Sequence, residues 1–169
     1  MLKVSPRWRS DRMSKDMTLP PSIALADEAA TSRLGAALAC VLRDGEAICL
    51  EGPLGAGKST LARALVRALT RPDEDVPSPT FTIVQFYEAA AFPLAHFDLY
   101  RLSSPDEAFE IGLDEALDEG AVLIEWPQRL EGRLPPDRLD IEISLEDGGQ
   151  TRRARLTPHG AWKGRTFEF

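Results

Sequence analysis

The chain has 169 residues, 43% of them hydrophobic, which favours one globular α/β domain with its own core over two domains. Its 27 acidic residues outnumber its 20 basic residues and give a formal net charge of −7, so the chain lacks the positive charge that attracts nucleic acid at long range. No apolar run approaches the roughly 20 residues of a transmembrane helix, and we expect no membrane association.

The first 17 residues, MLKVSPRWRSDRMSKDM, differ from the rest of the chain in composition. They are basic, have no apolar periodicity, and are not followed by the apolar segment of a secretory signal. They are predicted to be either a disordered tail or the result of a start codon assigned too early, with Met17 as the alternative start. Residues 18–169 are predicted to form the single domain.

Two cysteines, Cys40 and Cys49, lie in apolar stretches and are predicted to be small buried side chains. The sequence has no cluster of residues at metal-ligand spacing. Free thiols are typical of a reducing compartment, so we expect a cytoplasmic protein.

A helix over residues 28–42 is the first long predicted element, because apolar residues recur there at helical spacing. Asp27 is its expected N-cap, and Gly45 ends it. EAICLEG (46–52) is a short apolar run stopped by glycine, which indicates a buried strand. STLARALVRALT (59–70), after a glycine-rich segment, is predicted to be a second helix.

The middle of the chain begins with a Pro- and Asp-rich loop over residues 71–80. TIVQFYE (82–88) and PLAHFDLYRL (93–102) are predicted to be two strands joined by a short turn. A helical segment opens at Ser104 and Pro105, with acids in its first turn, and is expected to break at Gly112.

The last third contains AVLIEW (121–126), a continuous apolar run typical of a central parallel strand. Apolar and polar residues alternate in RLDIEISLE (138–146), which is followed by the turn DGGQ and then by TRRARLTP (151–158). These segments predict an antiparallel hairpin. The order of elements predicts an α/β fold, with a mixed, mostly parallel central sheet flanked by helices and a C-terminal antiparallel hairpin.

The segment GPLGAGKST (52–60) stands between a predicted strand and a predicted helix, the context of a P-loop nucleotide-binding fold. Its glycines let backbone N–H groups surround phosphates, and the helix N-terminus faces the same anion. Lys58 is predicted to reach the outer phosphates, the Ser59 hydroxyl to bind Mg²⁺, and Thr60 to lie near the inner phosphates. The cradle as a whole is predicted from Gly52, Pro53, Leu54, Gly55, Ala56 and Gly57. A glycine-rich turn with an incidental lysine explains neither the context nor the full residue set.

Two acids lie at or near the ends of apolar strands: Asp98 lies near the end of LAHFDLY, and Glu125 terminates AVLIE. A carboxylate is costly to bury unless something pairs with it, and Mg²⁺ on a triphosphate would do so. The alternative is a surface acid just outside a strand end. His96 shares the strand face of Asp98 and is interpreted as hydrogen-bonded in the sheet or beside the acid; Trp126 either packs near the nucleotide or fills the core.

Three arginines in the last predicted strand, Arg152, Arg153 and Arg155, form a small cationic patch with alternating sidedness. A solvated strand edge is the default interpretation. A surface for an acidic partner is the alternative.

Four segments in order, GPLGAGKST, SPTFTIVQFY, HFDLYRL and LIEWP, resemble the small bacterial P-loop ATPase family of tRNA threonylcarbamoyladenosine biosynthesis, TsaE. The resemblance implies slow ATP hydrolysis by the chain alone. It also implies action with the threonylcarbamoyl transferase subunit TsaD and its inactive paralogue TsaB. That machinery modifies adenosine 37 of tRNA, which this chain would meet only indirectly.

The same resemblance implies roles for single residues. Asp98 is similar to the family's metal-side aspartate, and Glu125 to an acid near Mg²⁺ and the attacking water. Thr80 matches a switch-like loop that senses the outer phosphate, Trp126 matches a tryptophan close to the nucleotide, and Glu28 is expected near the base. Two departures, Pro53 where an Asp is common and Gln128 where an acid is common, predict altered affinity and weaken the role of the second acid.

No arginine stands out as a catalytic finger, which predicts slow turnover that a partner stimulates. Arg101 is the alternative candidate within the chain. The competing functions are a small-molecule P-loop kinase, which would normally carry an arginine-rich lid, and a sensor that binds nucleotide without hydrolysing it.

Overall fold

The computed structural model describes residues 19–169, where the chain forms seven strands and four α-helices. The strands are β1 (Ser22–Leu25), β2 (Ala47–Glu51), β3 (Val84–Glu88), β4 (Pro93–Asp98), β5 (Ala121–Glu125), β6 (Arg138–Glu146) and β7 (Thr151–His159). The helices are α1 (Glu28–Ala39), α2 (Lys58–Leu69), α3 (Pro105–Glu110) and α4 (Leu113–Glu119). No helix in this range combines the length and apolar character needed to cross a membrane. The predicted tail over residues 1–17 lies outside the described residues; it stays a prediction, as does the single domain over 18–169.

All seven strands lie in one sheet, in the order β1-β7-β6-β2-β5-β4-β3. The pairings β2–β5, β2–β6 and β4–β5 are parallel, whereas β3–β4, β6–β7 and β1–β7 are antiparallel. Five strands therefore run in one direction, and β3 and β7 run against them. This confirms the predicted mixed, mostly parallel sheet and the C-terminal hairpin.

The helices cover the two faces of the sheet. α1 and α2 pack on one face, over side chains that include Leu50 and Leu123. α3 and α4 pack on the other face, over side chains that include Cys49 and Val122. The central strands β2 and β5 are buried on both faces, which is why each is a continuous apolar run in the sequence.

Several element boundaries differ from the predicted ones. α1 ends at Ala39 instead of residue 42, and Cys40 at its C-cap is exposed, so the prediction of a buried thiol is wrong for Cys40 and confirmed for Cys49. β4 ends at Asp98 instead of residue 102, because the Asp98 carboxylate accepts the N–H of Tyr100 and turns the backbone out of the ladder. The four-residue strand β1 was not predicted from the sequence.

Helices α1 and α2 approach each other closely at Gly35. A Cβ atom at this position would lie 2.6 Å from the carbonyl oxygen of Leu61 and 2.9 Å from the Cβ of Ala64. The absence of a side chain therefore lets the backbone of α2 lie directly against α1. This contact fixes α2, and α2 carries the phosphate-loop lysine at its first residue.

Gly35→Ala is expected to lower the free energy of unfolding by about 2 kcal/mol, because the helices must separate to admit the methyl group. Urea unfolding followed by circular dichroism measures the change. Ala36→Leu is the control, since Ala36 lies on the exposed side of the same helix and leucine keeps its helix propensity. An unchanged unfolding midpoint for Gly35→Ala would contradict the close packing of α1 on α2.

One buried ion pair attaches the segment after β7 to the rest of the domain. The Arg165 guanidinium makes two hydrogen bonds of 2.6 Å to the two carboxylate oxygens of Glu46, and the two side chains are 7% and 6% exposed. Arg165 also donates to the carbonyl of Val41 and lies 4.4 Å from the ring centroid of Trp162, which is fully buried. The ion pair thus fastens the C-terminal segment to the residues between α1 and β2.

Candidate functional site

The glycine-rich segment is a loop between β2 and α2, as predicted from the sequence. Gly52 has a φ of 152°, and a Cβ atom there would lie 2.6 Å from the carbonyl oxygen of Ile143. Only glycine fits this approach to the neighbouring strand β6. α2 begins directly after Gly57, which has no side chain to cap it, so the first backbone N–H groups of the helix point into the loop. The loop and helix together form an anion cradle.

Lys58 lies at the floor of this cradle and is only 7% exposed. Its ammonium donates hydrogen bonds to the carbonyls of Gly52 and Pro53 and lies 4.6 Å from the ring centroid of Trp126. Burial lowers the pKa of Lys58, and the nearby carboxylates of Glu125 and Asp98 raise it in opposition. Two backbone carbonyls of the loop therefore hold the ammonium at the cradle.

Asp98 and Glu125 lie side by side at the carboxyl ends of two adjacent parallel strands. Both are buried, at 5% and 3% exposure, on the sheet face that α2 covers. Burial raises the pKa of Asp98 and the neighbouring Glu125 adds to this, while hydrogen bonds from the Tyr100 N–H and the Thr80 hydroxyl oppose it. The alternative of two surface acids outside strand ends is wrong.

The two acids share one cavity of about 240 Å³ with the phosphate loop. Its lining comprises Leu54, Gly55, Gly57, Lys58, Ser59, Thr60, Ser78, Thr80, Asp98, Glu125 and Trp126. Atom Oε1 of Glu125 is buried with no hydrogen-bond partner among residues 19–169, so this oxygen is available to bind a cation. No three acidic, histidine or cysteine side chains in this range cluster as a metal site. The residues therefore fit Mg²⁺ only if the Ser59 hydroxyl and ligand phosphates complete its coordination.

His96 is buried beside Glu125, with Nε2 at 3.7 Å from Oε1 of the acid. Neither ring nitrogen has a hydrogen-bond partner within residues 19–169. The interpretation of His96 as a side chain hydrogen-bonded beside Asp98 is wrong, since the acid next to its ring is Glu125 and no hydrogen bond joins the two. The prediction of a hydrogen bond within the sheet is wrong, because the ring projects from the sheet face, where the ladder groups are out of reach.

Thr80 lies in the loop that precedes β3 and lines one side of the cavity. Its hydroxyl lies 2.7 Å from the Ser78 hydroxyl and donates to Oδ2 of Asp98 at 3.3 Å. Ile83, at the end of this loop, has a φ of 68°, a strained value for a β-branched residue, and its carbonyl accepts the N–H of Asp98. The loop is therefore tied at two points to the acid that it adjoins.

Of the predicted aromatic and arginine residues, Trp126 lines this cavity and Arg101 does not. Trp126 follows Glu125 with a left-handed φ of 59°, lines the cavity and also packs against the core under α3 and α4. Its contact with the core is confirmed, and its position near a nucleotide stays a prediction. Arg101 stacks at 4.5 Å on the exposed ring of Phe81 and does not line the cavity. Gln128 lies beyond Trp126, outside the lining of this cavity.

A second cavity, of about 290 Å³, lies on the other side of the phosphate loop. Glu28 is found here, away from the two acids, together with Asp27, Thr31, Gly55, Gly57, Thr60, Gln150 and Arg152. Arg152 is a cavity residue that the default interpretation of a solvated strand edge missed. The signal was present in the sequence, because period-two alternation places Arg152 on the same side of β7 as Ala154 and Leu156.

The sequence of the chain is similar to those of known proteins over most of its length. The family model for "Threonylcarbamoyl adenosine biosynthesis protein TsaE" matches residues 25–154. The chain is 42% identical over 134 residues to the tRNA threonylcarbamoyladenosine biosynthesis protein TsaE of Bacillus subtilis, covering 78% of this chain and 79% of that protein. It is 38% identical over 153 residues to the protein of that name from Nostoc sp., covering 88% and 91%.

A solved structure has the same fold. The crystal structure of Bacillus subtilis YdiB superposes with a TM-score of 0.68 at 29% sequence identity. The match covers 82% of this chain and 85% of that chain.

Proposed function

Because the chain belongs to the TsaE family and so takes part in tRNA threonylcarbamoyladenosine biosynthesis, we propose that it binds ATP with Mg²⁺ and hydrolyses it. The observation that carries the proposal is the shared cavity in which Asp98 and Glu125, both buried, face Ser59 and Lys58. Two adjacent buried carboxylates are costly unless cationic charge is close by. A phosphate loop beside such a pair is suited to a magnesium–nucleotide complex.

In this proposal the chain acts mainly through electrostatic stabilisation of the outer phosphates. The loop N–H groups and the Lys58 ammonium take up charge that develops on the β and γ phosphates. Mg²⁺, when bound, would supply a further positive charge to these phosphates. Ser59, Asp98 and Glu125 would hold the ion, and Glu125 or Thr80 would orient the attacking water. The loop around Thr80 thereby responds to the presence of the γ-phosphate.

We further propose that turnover by the chain alone is slow and rises with the partner proteins TsaD and TsaB in the cytoplasm. No arginine of residues 19–169 lines the cavity that holds the two acids, so a source of transition-state charge common to such enzymes is missing there. In this scheme the chain acts on the machinery that modifies adenosine 37 and contacts tRNA only indirectly. Its net charge of −7 supports that arrangement.

Phosphate release from Mg·ATP, measured with and without purified TsaD and TsaB, tests the proposed function. We expect slow release by the chain alone and faster release with both partners. Glu125→Gln is the matched control, since it keeps the shape of the side chain and removes the charge. Transfer of phosphate to a small acceptor would favour the kinase alternative, and absence of release under every condition would favour the sensor.

A further inference from the structure

His96 and Glu125 bring together buried polar atoms that lack hydrogen-bond partners. Both nitrogens of the His96 ring and atom Oε1 of Glu125 are buried without a partner within residues 19–169. Atom Nε2 lies 3.7 Å from Oε1, about 0.5 Å beyond the longest ordinary N–H···O distance. A buried polar group without a partner destabilises the folded state. A small movement of the Glu125 side chain would therefore satisfy an atom of each residue at once.

The sheet places His96 behind the carboxylate of Glu125. The parallel register of β4 and β5 sets Asp98 opposite Glu125 and His96 opposite Leu123. Alternation along β4 puts His96 and Asp98 on the same face of the sheet. Both acids line the cavity at the phosphate loop, whereas His96 does not. The ring thus meets Glu125 from the interior of the domain and lies outside the space that a ligand would fill.

The two acids differ in how the chain holds them. The Asp98 carboxylate accepts the Tyr100 N–H at 3.0 Å and the Thr80 hydroxyl at 3.3 Å. Atom Oε1 of Glu125 accepts no hydrogen bond from residues 19–169. A glutamate side chain also has one more rotatable bond than an aspartate, so more orientations are open to its carboxylate. Glu125 therefore needs a donor to fix its direction, and the His96 ring is placed to supply one.

We propose that His96 is a positioning residue, whose Nε2–H donates to Oε1 of Glu125 in the nucleotide complex and fixes the direction of the carboxylate. The inference rests on the proposed function. Hydrogen bonds of catalytic groups are often long in unliganded proteins and tighten in the complex. Each carboxylate oxygen has two acceptor sites, so this bond leaves Glu125 able to meet a ligand in the cavity.

Three substitutions of His96 test this role through the kcat of ATP hydrolysis. His96→Leu has no donor, and its kcat is expected to fall about tenfold, the effect of losing one hydrogen bond to a charged group. The side-chain nitrogen of glutamine lies near the position of Nε2, whereas that of asparagine lies near the position of Nδ1. We therefore expect His96→Gln to keep at least about half of the parental kcat and His96→Asn to lose as much as His96→Leu. Because His96 lies outside the cavity lining, the Kd of Mg·ATP is expected to stay within about twofold in all three.

Thermal unfolding separates this role from a structural one. His96→Leu removes two buried ring nitrogens without partners, so its Tm is expected to equal or exceed the parental value although its kcat is lower. Leu94→Met is the matched control, since Leu94 is buried on the same face of β4 and the exchange conserves volume. It is expected to keep the parental kcat. Joint loss of kcat and Tm in His96→Leu, without recovery in His96→Gln, would show a structural role instead.

Nuclear magnetic resonance of protein with ¹⁵N-labelled histidine gives a readout that does not depend on hydrolysis. The chain has two histidines, and His159→Gln assigns their signals. With Mg²⁺ and ADP added, we expect the His96 ring to carry a proton on Nε2 and the signal of that proton to move downfield. A His96 ring whose only proton is on Nδ1 would overturn the assignment.

The kinetic outcomes distinguish this inference from the proposed function. A parental kcat in His96→Leu would overturn the positioning role and leave the proposed function standing. Parental protein that releases no phosphate from Mg·ATP, alone or with TsaD and TsaB, would overturn both.

Discussion

Lys58→Ala is expected to lower the rate of ATP hydrolysis by at least about a hundredfold, the usual effect of removing one charged group that stabilises a transition state. The Lys58 ammonium lies in the cradle of backbone N–H groups, next to the cavity that holds both acids. It is a positive side chain of the chain itself that lines this cavity, whereas no arginine of residues 19–169 does. Phosphate release at saturating Mg·ATP, with the partners present, measures the loss.

Lys163→Ala provides the control for this substitution, because Lys163 is exposed and lies outside the lining of both cavities at the phosphate loop. It is expected to keep the parental rate. Thermal unfolding of both variants verifies that the folded state is retained. Lys58→Ala protein with the parental rate of hydrolysis would show that the loop is not the catalytic phosphate site.

Arg165→Ala is expected to reduce the free energy of unfolding by about 3–5 kcal/mol, the cost of leaving one member of a buried ion pair without its partner. Glu46 would keep its charge in a position that is 6% exposed, and the guanidinium contacts to Val41 and Trp162 would be lost as well. Urea unfolding at pH 7 measures the change.

Two further variants separate the charge from the packing. Glu46→Gln combined with Arg165→Ala removes the unpaired carboxylate and is expected to recover part of the loss. Arg133→Ala breaks the exposed pair with Asp106, where the side chains are 53% and 73% accessible, and is expected to cost less than about 1 kcal/mol. Equal losses of unfolding free energy in Arg165→Ala and Arg133→Ala would contradict the stabilising role of the ion pair between Arg165 and Glu46.

The parts of the fold and site that are predictable from sequence are those with local signals. The phosphate loop is contiguous, and β5 is a continuous apolar run that ends in Glu125, so both the strand and the acid at its tip are visible in the sequence. The strand that carries Asp98 is visible too, although its end was predicted four residues too late. Their position beside each other on adjacent strands follows once the sheet is parallel, because the carboxyl ends of parallel strands share one edge.

What the sequence does not reveal depends on contacts between distant segments. β1 has only four residues and exists because Ile23 and Leu25 pair with β7, about 130 positions later. Arg152 meets Gly55 across 97 positions. Period-two alternation indicates the face of β7 on which Arg152 lies, but it does not indicate this contact. The exposure of Cys40 depends on where α1 stops, and helix ends are poorly specified by periodicity alone.

The order of strands in the sheet also has a consequence for how the protein comes to be folded during synthesis. β2, which bears the phosphate loop, lies between β5 and β6, and both of these follow it in the chain. β1 is made first among the described strands, yet its partner β7 is made last. A ribosome must therefore release nearly the whole polypeptide before the loop is enclosed on both sides, and until then the two early strands present open edges to the cell.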